Sequence, residues 1–337
     1  MILQFFSHMI LASVLLQVFP VDVRDIQRLA TQSTDQAPSL YQFFSLPNAH
    51  LPLVSEGVPT KIRPNSLGVV TSAESAIVVD RNTKQILFQK NIDVPRSIGS
   101  ITKLMTAFVF LSTNPDLSAP AMLESEDYRA GGVQHIGFGE TMTMKDVLYA
   151  SLISSDNSAT ASLARLSGMT MQEFVAKMNK TARSMGMDRT HFEDPAGLSP
   201  RNESVVSDLV KMLDVISHND IIREATAHNE FTVTTTSGKE YVLKSTDQLL
   251  SSFINRAPYR VVAGKTGYLP EAGYCLSTVL AREGAGDIIV VVLGAETNAD
   301  RFQDIKSLAV WAYQTFKWPN QLSYDANDRG LDRFLTE

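Results

Sequence analysis

The stretch that decides the fold reads SIGSITK at residues 97–103 and continues as LMTAFVFL at residues 104–111. From Leu104 onward nearly every residue is apolar, which is typical of a helix buried on all sides at the centre of a domain. Ser100 and Lys103 are three residues apart and therefore share one face of a helix. The serine would lie at the helix N-terminus, where unpaired N–H groups favour negative charge. A lysine activates such a hydroxyl when its ammonium form is destabilised.

Two later motifs give this pair a chemical interpretation. An S-x-x-K pattern is common by itself and also describes a helix-capping serine followed by a surface lysine. Here SDN at residues 155–157 follows a predicted helix, and KTG at residues 265–267 opens a β-rich region. S-x-x-K, S-D-N and K-T-G form the signature of penicillin-binding proteins and class A β-lactamases. Their occurrence together and in this order predicts a serine acyl-transfer site.

The secondary-structure pattern predicts one sheet assembled from both ends of a domain. Two strands joined by a hairpin are predicted at residues 76–80 and 85–88, and three more follow from Val261, including 274–280 and 288–294. Helices are predicted between and after these strands, at 100–111, 143–154, 170–185, 205–216 and 303–316. Because two strands precede the helical block and three follow it, they can pair into an antiparallel sheet with helices packed on it. The predicted fold class is α/β, of the α+β type.

Composition divides the chain into four segments. Residues 1–20 contain no Asp, Glu, Lys or Arg and include a short apolar run, which predicts a signal peptide or an N-terminal anchor. Prolines mixed with Ser, Thr, Gln and Asn mark residues 21–72 as a linker. The folded domain is expected at residues 73–318. A short polar tail follows at residues 319–337, and because it has no basic amphipathic face we expect no C-terminal membrane anchor.

Overall composition excludes several classes of function. The 337 residues are 44% hydrophobic and 20% charged, which is enough for a large globular core. The net charge is −6 and no basic cluster stands out, so nucleic acid is not an expected partner. Cys275 is the single cysteine, which excludes an intramolecular disulfide and a cysteine-rich zinc site. The six histidines show no paired spacing, and we expect neither a metal nor a cofactor.

Three further stretches extend the resemblance beyond the catalytic motifs. They are PRSIGSITKLMT at residues 95–106, FEDPAGLS at 192–199 and AGYCL at 272–276. They are similar to the Ser-x-Thr-Lys-x-Met-Thr element, the Pro-x-Gly-Leu stretch and the strand after Lys-Thr-Gly of one family. From about residue 73 to residue 318 the chain resembles the low-molecular-mass penicillin-binding proteins, specifically the D-alanyl-D-alanine carboxypeptidase and endopeptidase family. This resemblance implies the β-lactamase/transpeptidase-like fold with its five-stranded sheet.

The resemblance also implies a role for each motif residue. Ser100 would be the nucleophile, Lys103 its base and Ser155 the proton relay to the leaving amine. Burial and a nearby cation are expected to lower the pKa of Lys103, and Lys265 is the obvious cation. The implied substrate-binding residues are Asn157, Lys265, Thr266, Gly267 and Tyr268. Of these, Gly267 is expected to let a substrate backbone lie against the strand, and the Tyr268 N–H to form an oxyanion hole with that of Ser100.

The implied function is a serine D,D-peptidase that forms an acyl-enzyme on peptidoglycan stem peptides and is acylated by β-lactam antibiotics such as penicillin. It would cleave D-Ala-D-Ala termini, D-Ala-linked cross-links or both. Typical carboxypeptidases of this family carry an additional domain that we do not expect in this chain. This difference favours the endopeptidase-like branch of the family. Such substrates lie outside the cytoplasm, so we expect export to the periplasm through the N-terminal segment.

Two alternatives stay open at this point, a β-lactamase and a catalytically weak wall-binding scaffold protein. Class A β-lactamases carry Glu-x-x-Leu-Asn about where this chain reads EDPAG at residues 193–197. The mismatch favours an ordinary loop carboxylate at Glu193. The intact set of motif residues argues against a scaffold, which has no need of all of them.

Overall fold

A computed structural model describes residues 57–132 and 134–319. Its helices are α1 (Thr102–Leu111), α2 (Met144–Ile153), α3 (Asn157–Leu166), α4 (Met171–Ser184), α5 (Val206–Ile216), α6 (Asp220–Ala227) and α7 (Asn298–Thr315). Its strands are β1 (Thr60–Lys61), β2 (Ser75–Asp80), β3 (Ile86–Lys90), β4 (Arg96–Ser97), β5 (Pro120–Met122), β6 (Thr141–Thr143), β7 (Glu203–Ser204), β8 (Glu230–Thr234), β9 (Glu240–Lys244), β10 (Tyr259–Leu269), β11 (Gly273–Arg282), β12 (Ile288–Ala295) and β13 (Phe316–Lys317). Short 3-10 turns lie at Gly99–Ile101, Ser125–Asp127, Gln248–Ser251 and Phe253–Asn255.

The central sheet has five antiparallel strands in the order β10-β11-β12-β2-β3. Strands from both ends of the domain meet at the β12–β2 pair, where Val291 lies opposite Ile77. Every residue of these two strands is buried, so helices must cover both faces of the sheet. The predicted α/β fold class and five-stranded antiparallel sheet are confirmed.

Alternate residues of β2 and β12 divide the interior into two cores, because successive side chains of a strand point to opposite faces. Ile77 and Val291 pack in the core that contains α1, together with Leu104. Val78 and Val290 face the other way, into the core that contains α7. The apolar helix α1 is therefore enclosed by protein, as its sequence predicts.

Capping residues set the ends of several helices. Thr143 and Asp146 form a capping box at α2, and Thr170 forms another with Glu173 at α4. The sequence predicts no helix between residues 154 and 170, whereas the structure begins α3 at Asn157. Asp156 starts this helix by accepting a hydrogen bond from the Ala159 N–H group.

The N-terminal part of the described chain contacts the last helix. Strand β1 pairs with β13, although the sequence analysis assigns residues 57–72 to the linker. The Trp311 Nε1 atom donates a hydrogen bond to Ser66 Oγ at 2.7 Å, and the Asp304 carboxylate accepts from the Ala73 N–H at 2.9 Å. These contacts fix the start of the sheet against α7.

Several segment predictions lie outside the described residues. They are the signal or anchor at residues 1–20, most of the predicted linker and all but the first residue of the polar tail. Among residues 57–132 and 134–319, no helix has the length and apolar character needed to cross a bilayer. The segment boundaries therefore stay predictions.

Candidate active site

The structure places Ser100 in the 3-10 turn Gly99–Ile101, which leads directly into α1. Gly99 has a φ of +52°, a left-handed conformation that a residue without Cβ adopts at no steric cost. A Cβ at Gly99 would lie 2.8 Å from the Tyr268 nitrogen, so the turn approaches β10 closely. Ser100 is consequently half-buried at the junction of a buried helix and an edge strand.

Lys103 is fully buried and its Nζ atom contacts three oxygens. It lies 2.8 Å from Ser100 Oγ, 2.7 Å from Asn157 Oδ1 and 2.6 Å from the Ala196 carbonyl oxygen. Amide oxygens only accept hydrogen bonds, whereas a hydroxyl can also donate one. A neutral Lys103 amine that donates to Asn157 and Ala196 therefore directs its lone pair at Ser100 Oγ. This is the geometry of a base beside its nucleophile.

Burial lowers the pKa of Lys103 to about 7, although Asp194 and Asp156 attract its ammonium form and raise it. Of the two causes expected from the sequence, burial and a nearby cation, burial is the dominant one. Burial also lowers the pKa of Lys265, and repulsion from Lys103 and Arg301 lowers it further. Two ammonium groups in one dry site disfavour each other, so the pair favours a single charge.

Ser155 and Lys265 form a second hydroxyl–lysine pair. Ser155 has a φ of +60°, an uncommon conformation for a residue with a side chain. Lys265 is 1% exposed, and its Nζ atom donates to Ser155 Oγ at 2.9 Å. Asn157, which belongs to the same S-D-N motif as Ser155, contacts Lys103 through its Oδ1 atom. Its Nδ2 atom donates to the Gly131 carbonyl at 2.5 Å. The structure thus brings the S-x-x-K, S-D-N and K-T-G motifs together.

The loop at residues 194–199 carries the carbonyl that Lys103 contacts. The Asp194 carboxylate accepts hydrogen bonds from four successive N–H groups, those of Ala196, Gly197, Leu198 and Ser199. Asn202 donates to the Asp194 carbonyl at 2.8 Å and to Thr102 Oγ1 at 3.1 Å, which ties the loop to α1. Sequence reasoning missed this support. The Pro-x-Gly-Leu stretch marks this loop in the sequence, but the pattern does not predict the hydrogen bonds that Asp194 and Asn202 make.

The K-T-G residues lie on the edge strand β10. Thr266 Oγ1 is 2.6 Å from Thr246 Oγ1. A Cβ on Gly267 would overlap the Ile98 carbonyl oxygen, so this glycine lets β10 pack against the turn that holds Ser100. The expectation that Gly267 also lets a substrate backbone lie against the strand stays a prediction. Tyr268 is 49% exposed and its ring stacks on that of Tyr274 at 4.4 Å.

Two charged residues near the K-T-G strand were missed by the sequence analysis. Arg301 of α7 donates through Nη1 to the carbonyls of Gly267 at 2.9 Å and Cys275 at 3.3 Å. Asp247 is buried behind the same strand. Neither residue belongs to a short motif, and only the packing of α7 and of the turn at residues 248–251 brings them close.

Glu193 is engaged by its own loop. Its carboxylate pairs with Arg201 Nε at 2.6 Å and accepts from Ser199 Oγ at 2.9 Å, and these contacts lower its pKa. The ordinary loop role that the sequence predicts for Glu193 agrees with these contacts. Over the described ranges 57–132 and 134–319, no three His, Cys, Asp or Glu side chains lie close enough together to bind a metal ion.

The fold and the paired serines and lysines define a serine acyl-transfer protein. Comparison with known families identifies it further: the profile of peptidase family S11, D-alanyl-D-alanine carboxypeptidase, matches residues 63–297. The chain belongs to this family. The predicted resemblance to the low-molecular-mass penicillin-binding proteins is thereby confirmed.

Individual relatives agree with the family. The D-alanyl-D-alanine endopeptidase of Escherichia coli is 32% identical over 243 residues, which is 70% of this chain and 76% of that protein. The D-alanyl-D-alanine carboxypeptidase DacF of Bacillus subtilis is 29% identical over 73% of this chain and 63% of its own length. Among solved structures, the Streptomyces K15 DD-transpeptidase superposes with a TM-score of 0.68 at 27% identity, covering 74% of this chain and all of that one. The β-lactamase/transpeptidase-like fold is therefore confirmed.

The close approach of β10 to the serine turn can be tested with Gly267→Ala. The new Cβ would meet the Ile98 carbonyl, a backbone atom that cannot rotate away. We expect the free energy of unfolding in urea to fall by about 1–3 kcal/mol, the usual cost of overpacking. Gly137→Ala is the control, since its Cβ would lie 3.5 Å from the nearest atom, in ordinary contact. Equal stability of the two variants would contradict this role for Gly267.

Proposed function

We propose that this protein is a serine D,D-peptidase that acts on peptidoglycan stem peptides through an acyl-enzyme on Ser100. The observation that carries the proposal is the set of contacts around Lys103 Nζ. Two of its three partners can only accept hydrogen bonds, and the third is the Ser100 hydroxyl. Burial lowers the pKa of Lys103 to about 7, so a large fraction of the amine is neutral at physiological pH. A general base operates best with a pKa near the working pH.

The reaction follows from these positions. Ser100 Oγ attacks the carbonyl carbon of the scissile D-Ala peptide bond while its proton passes to Lys103. The N–H groups of Ser100 and Tyr268 are the proposed donors to the oxyanion. Ser155, held by Lys265 at 2.9 Å, then relays a proton to the leaving nitrogen as the C–N bond breaks. Water hydrolyses the resulting ester, which returns the Ser100 hydroxyl.

Substrate recognition is assigned to the S-D-N and K-T-G residues. Asn157 would hold the substrate amide, and Lys265 with Thr266 would bind the carboxylate of the leaving residue. Penicillin would acylate Ser100 by opening its lactam ring at the same place. The relatives that are 32% identical are named endopeptidases, which favours cleavage of D-Ala-linked cross-links over removal of a terminal D-Ala.

The two other candidates are less well supported. A β-lactamase of class A needs a free glutamate to activate the deacylating water, whereas the nearest counterpart in sequence, Glu193, is occupied by Arg201 and Ser199. A scaffold protein would not require a fully buried lysine in contact with a serine hydroxyl. Because the substrate is peptidoglycan, we place the enzyme in the periplasm, exported through its N-terminal segment.

The nucleophile is tested by covalent labelling. Incubation with a fluorescent penicillin should attach one label to Ser100, located by mass spectrometry of a proteolytic digest. Ser100→Ala should lose the label and keep its thermal unfolding temperature. Ser112→Ala, at the end of the same helix, is the control and should label like the wild type. A label mapped to Ser155 would overturn the assignment of the nucleophile.

The base is tested by the pH dependence of acylation. Only neutral Lys103 accepts the proton, so the acylation rate of the wild type should rise with pH through a midpoint of about 7. Lys103→Arg stays protonated at every working pH and should acylate at least about a hundredfold more slowly. Lys180→Arg, at an exposed position of α4, is the control. Acylation by Lys103→Arg within a fewfold of the wild-type rate would exclude this base.

The scissile bond is tested with purified muropeptides. We expect the wild type to release monomers from cross-linked dimers, with products identified by mass. Lys265→Ala should lose most of this activity, because the leaving residue carries a carboxylate that needs a cation. If the wild type frees terminal D-Ala from pentapeptides and leaves dimers intact, the enzyme is a carboxypeptidase instead.

A further inference from the structure

Arg301 is a buried cation that the proposed reaction does not use. It lies close to the N-terminus of α7, where the helix dipole disfavours a positive charge, and only 7% of the residue is exposed. Its Nη1 atom donates to the carbonyl oxygens of Gly267 at 2.9 Å and Cys275 at 3.3 Å. Its Nε atom is buried without a hydrogen-bond partner in the described part of the chain. Because removing a guanidinium from water is costly, a cation held against two backbone carbonyls requires an explanation.

The Gly267 carbonyl belongs to the same peptide unit as the Tyr268 N–H group. A peptide unit is planar and trans, so its C=O and N–H bonds point in opposite directions across the strand. Arg301 holds the Gly267 carbonyl on the side of β11, because the same Nη1 atom also binds the carbonyl of Cys275 in β11. Since β10 is the edge strand of the sheet, the Tyr268 N–H group is directed to the free edge.

The serine turn lies beside that free edge. A Cβ on Gly99, the residue before Ser100, would stand 2.8 Å from the Tyr268 nitrogen. The N–H group that the proposed function assigns to the oxyanion is therefore fixed beside the nucleophile. Its direction is set from the other side of the strand, by the hydrogen bond between Arg301 and Gly267.

Aromatic rings fix the position of the Arg301 side chain. Its guanidinium lies over the Tyr274 ring, 5.5 Å from the ring centroid, and over the Phe302 ring at 4.8 Å. The Tyr274 ring in turn stacks on that of Tyr268, with the centroids 4.4 Å apart. Arg301 is thus connected both to the peptide unit of Tyr268 and, through Tyr274, to its side chain.

We propose that Arg301 is a positioning residue for the oxyanion hole and acts through the peptide unit between Gly267 and Tyr268. The hydrogen bond fixes the direction of the Tyr268 N–H before substrate arrives. The positive charge at the carbonyl polarises the peptide unit, which makes the N–H a stronger donor to a developing negative charge. Arg301 contacts neither substrate nor the reacting atoms. The inference rests on the proposed function, because that function gives the Tyr268 N–H its role.

The polarisation is tested by NMR in the absence of substrate. The chain contains two Gly-Tyr pairs, at residues 267–268 and 273–274, so labelling glycine with ¹³C at the carbonyl and tyrosine with ¹⁵N selects two amide signals. Tyr268→Phe removes one of the two signals and thereby assigns it. A hydrogen bond to the preceding carbonyl deshields an amide nitrogen. We therefore expect Arg301→Met to move the Tyr268 nitrogen signal upfield.

Arg282→Met is the matched control. Arg282 donates through Nη1 to the Tyr313 carbonyl at 3.0 Å, lies over the rings of Tyr259 and Tyr313, and also has a buried Nε atom without a partner in the described residues. It stands at the opposite end of β11 from Cys275. Its replacement should lower the thermal unfolding temperature to a similar extent as Arg301→Met and leave the Tyr268 signal unchanged.

The readout in the reaction is the ester carbonyl of the acyl-enzyme. Penicillin labelled with ¹³C at its lactam carbonyl gives a difference infrared band for that carbonyl alone. Hydrogen bonds in an oxyanion hole weaken the C=O bond and lower its frequency, so the band should move to higher frequency in Arg301→Met. The acylation rate constant should fall about tenfold, part of the roughly hundredfold cost of a lost oxyanion donor. Arg282→Met should keep the wild-type frequency and rate.

A second variant covers a failure to fold. Arg301→Gln removes the charge and keeps an N–H donor, so it replaces Arg301→Met if that variant is unfolded. The same two changes are expected in it, an upfield Tyr268 nitrogen and a higher carbonyl frequency.

The outcomes separate the two proposals. An unchanged Tyr268 nitrogen signal or an unchanged carbonyl frequency in a folded Arg301 variant overturns the role of Arg301, and so do equal changes in Arg282→Met. If the wild-type band matches that of the denatured acyl-enzyme, the oxyanion role of Tyr268 in the proposed function is wrong. If the wild type forms no acyl-enzyme on Ser100, the proposed function itself fails. The NMR comparison then still decides whether Arg301 polarises the peptide unit.

Discussion

The complete burial of the Lys103 side chain is the constraint on which the rest of the site depends. Removing an ammonium group from water costs several kcal/mol even after relaxation, and the protein meets this cost with three oxygen contacts instead of a carboxylate partner. An ion pair with a carboxylate would keep the Lys103 ammonium charged, and the side chain could then not act as a base. Neutral acceptors stabilise both protonation states, so the amine can gain and lose a proton during a reaction.

Each of those oxygens is held by a separate piece of the chain. Asn157 opens α3 directly after the Asp156 cap, and the Ala196 carbonyl belongs to a loop wound around the Asp194 carboxylate. Ser100 lies in a 3-10 turn that approaches β10 through Gly99 and Gly267. The sheet is the common support, because its edge strand and the buried helix α1 fix the turn between them. Rigid elements therefore position all of the reacting groups.

The elements with strong local signals were predictable from sequence. The five strands of the sheet and the starts of α2 and α4 were predicted, because apolar period and a threonine before the helix agree there. Helix α3 was missed because its sequence, NSATASLARL, consists mostly of small residues, and Leu163 and Leu166 are its only large apolar side chains. The motif residues were identifiable by type and order. The Ala196 carbonyl, Arg301 and Asp247 were not, because a backbone oxygen has no sequence signature and long-range charges meet only through packing.

Under the proposed function, the two lysines supply one site with a base and a cation from the same kind of side chain. In water both would be charged at pH 7, and the protein separates them by environment. Burial and mutual repulsion favour one charge for the pair, so any group that attracts the proton to one lysine releases the other as a base. A substrate carboxylate bound beside Lys265, as proposed, would attract the proton to that lysine. Under the proposed function, substrate binding at Lys265 would therefore increase the neutral fraction of Lys103 at the moment when Ser100 must lose its proton.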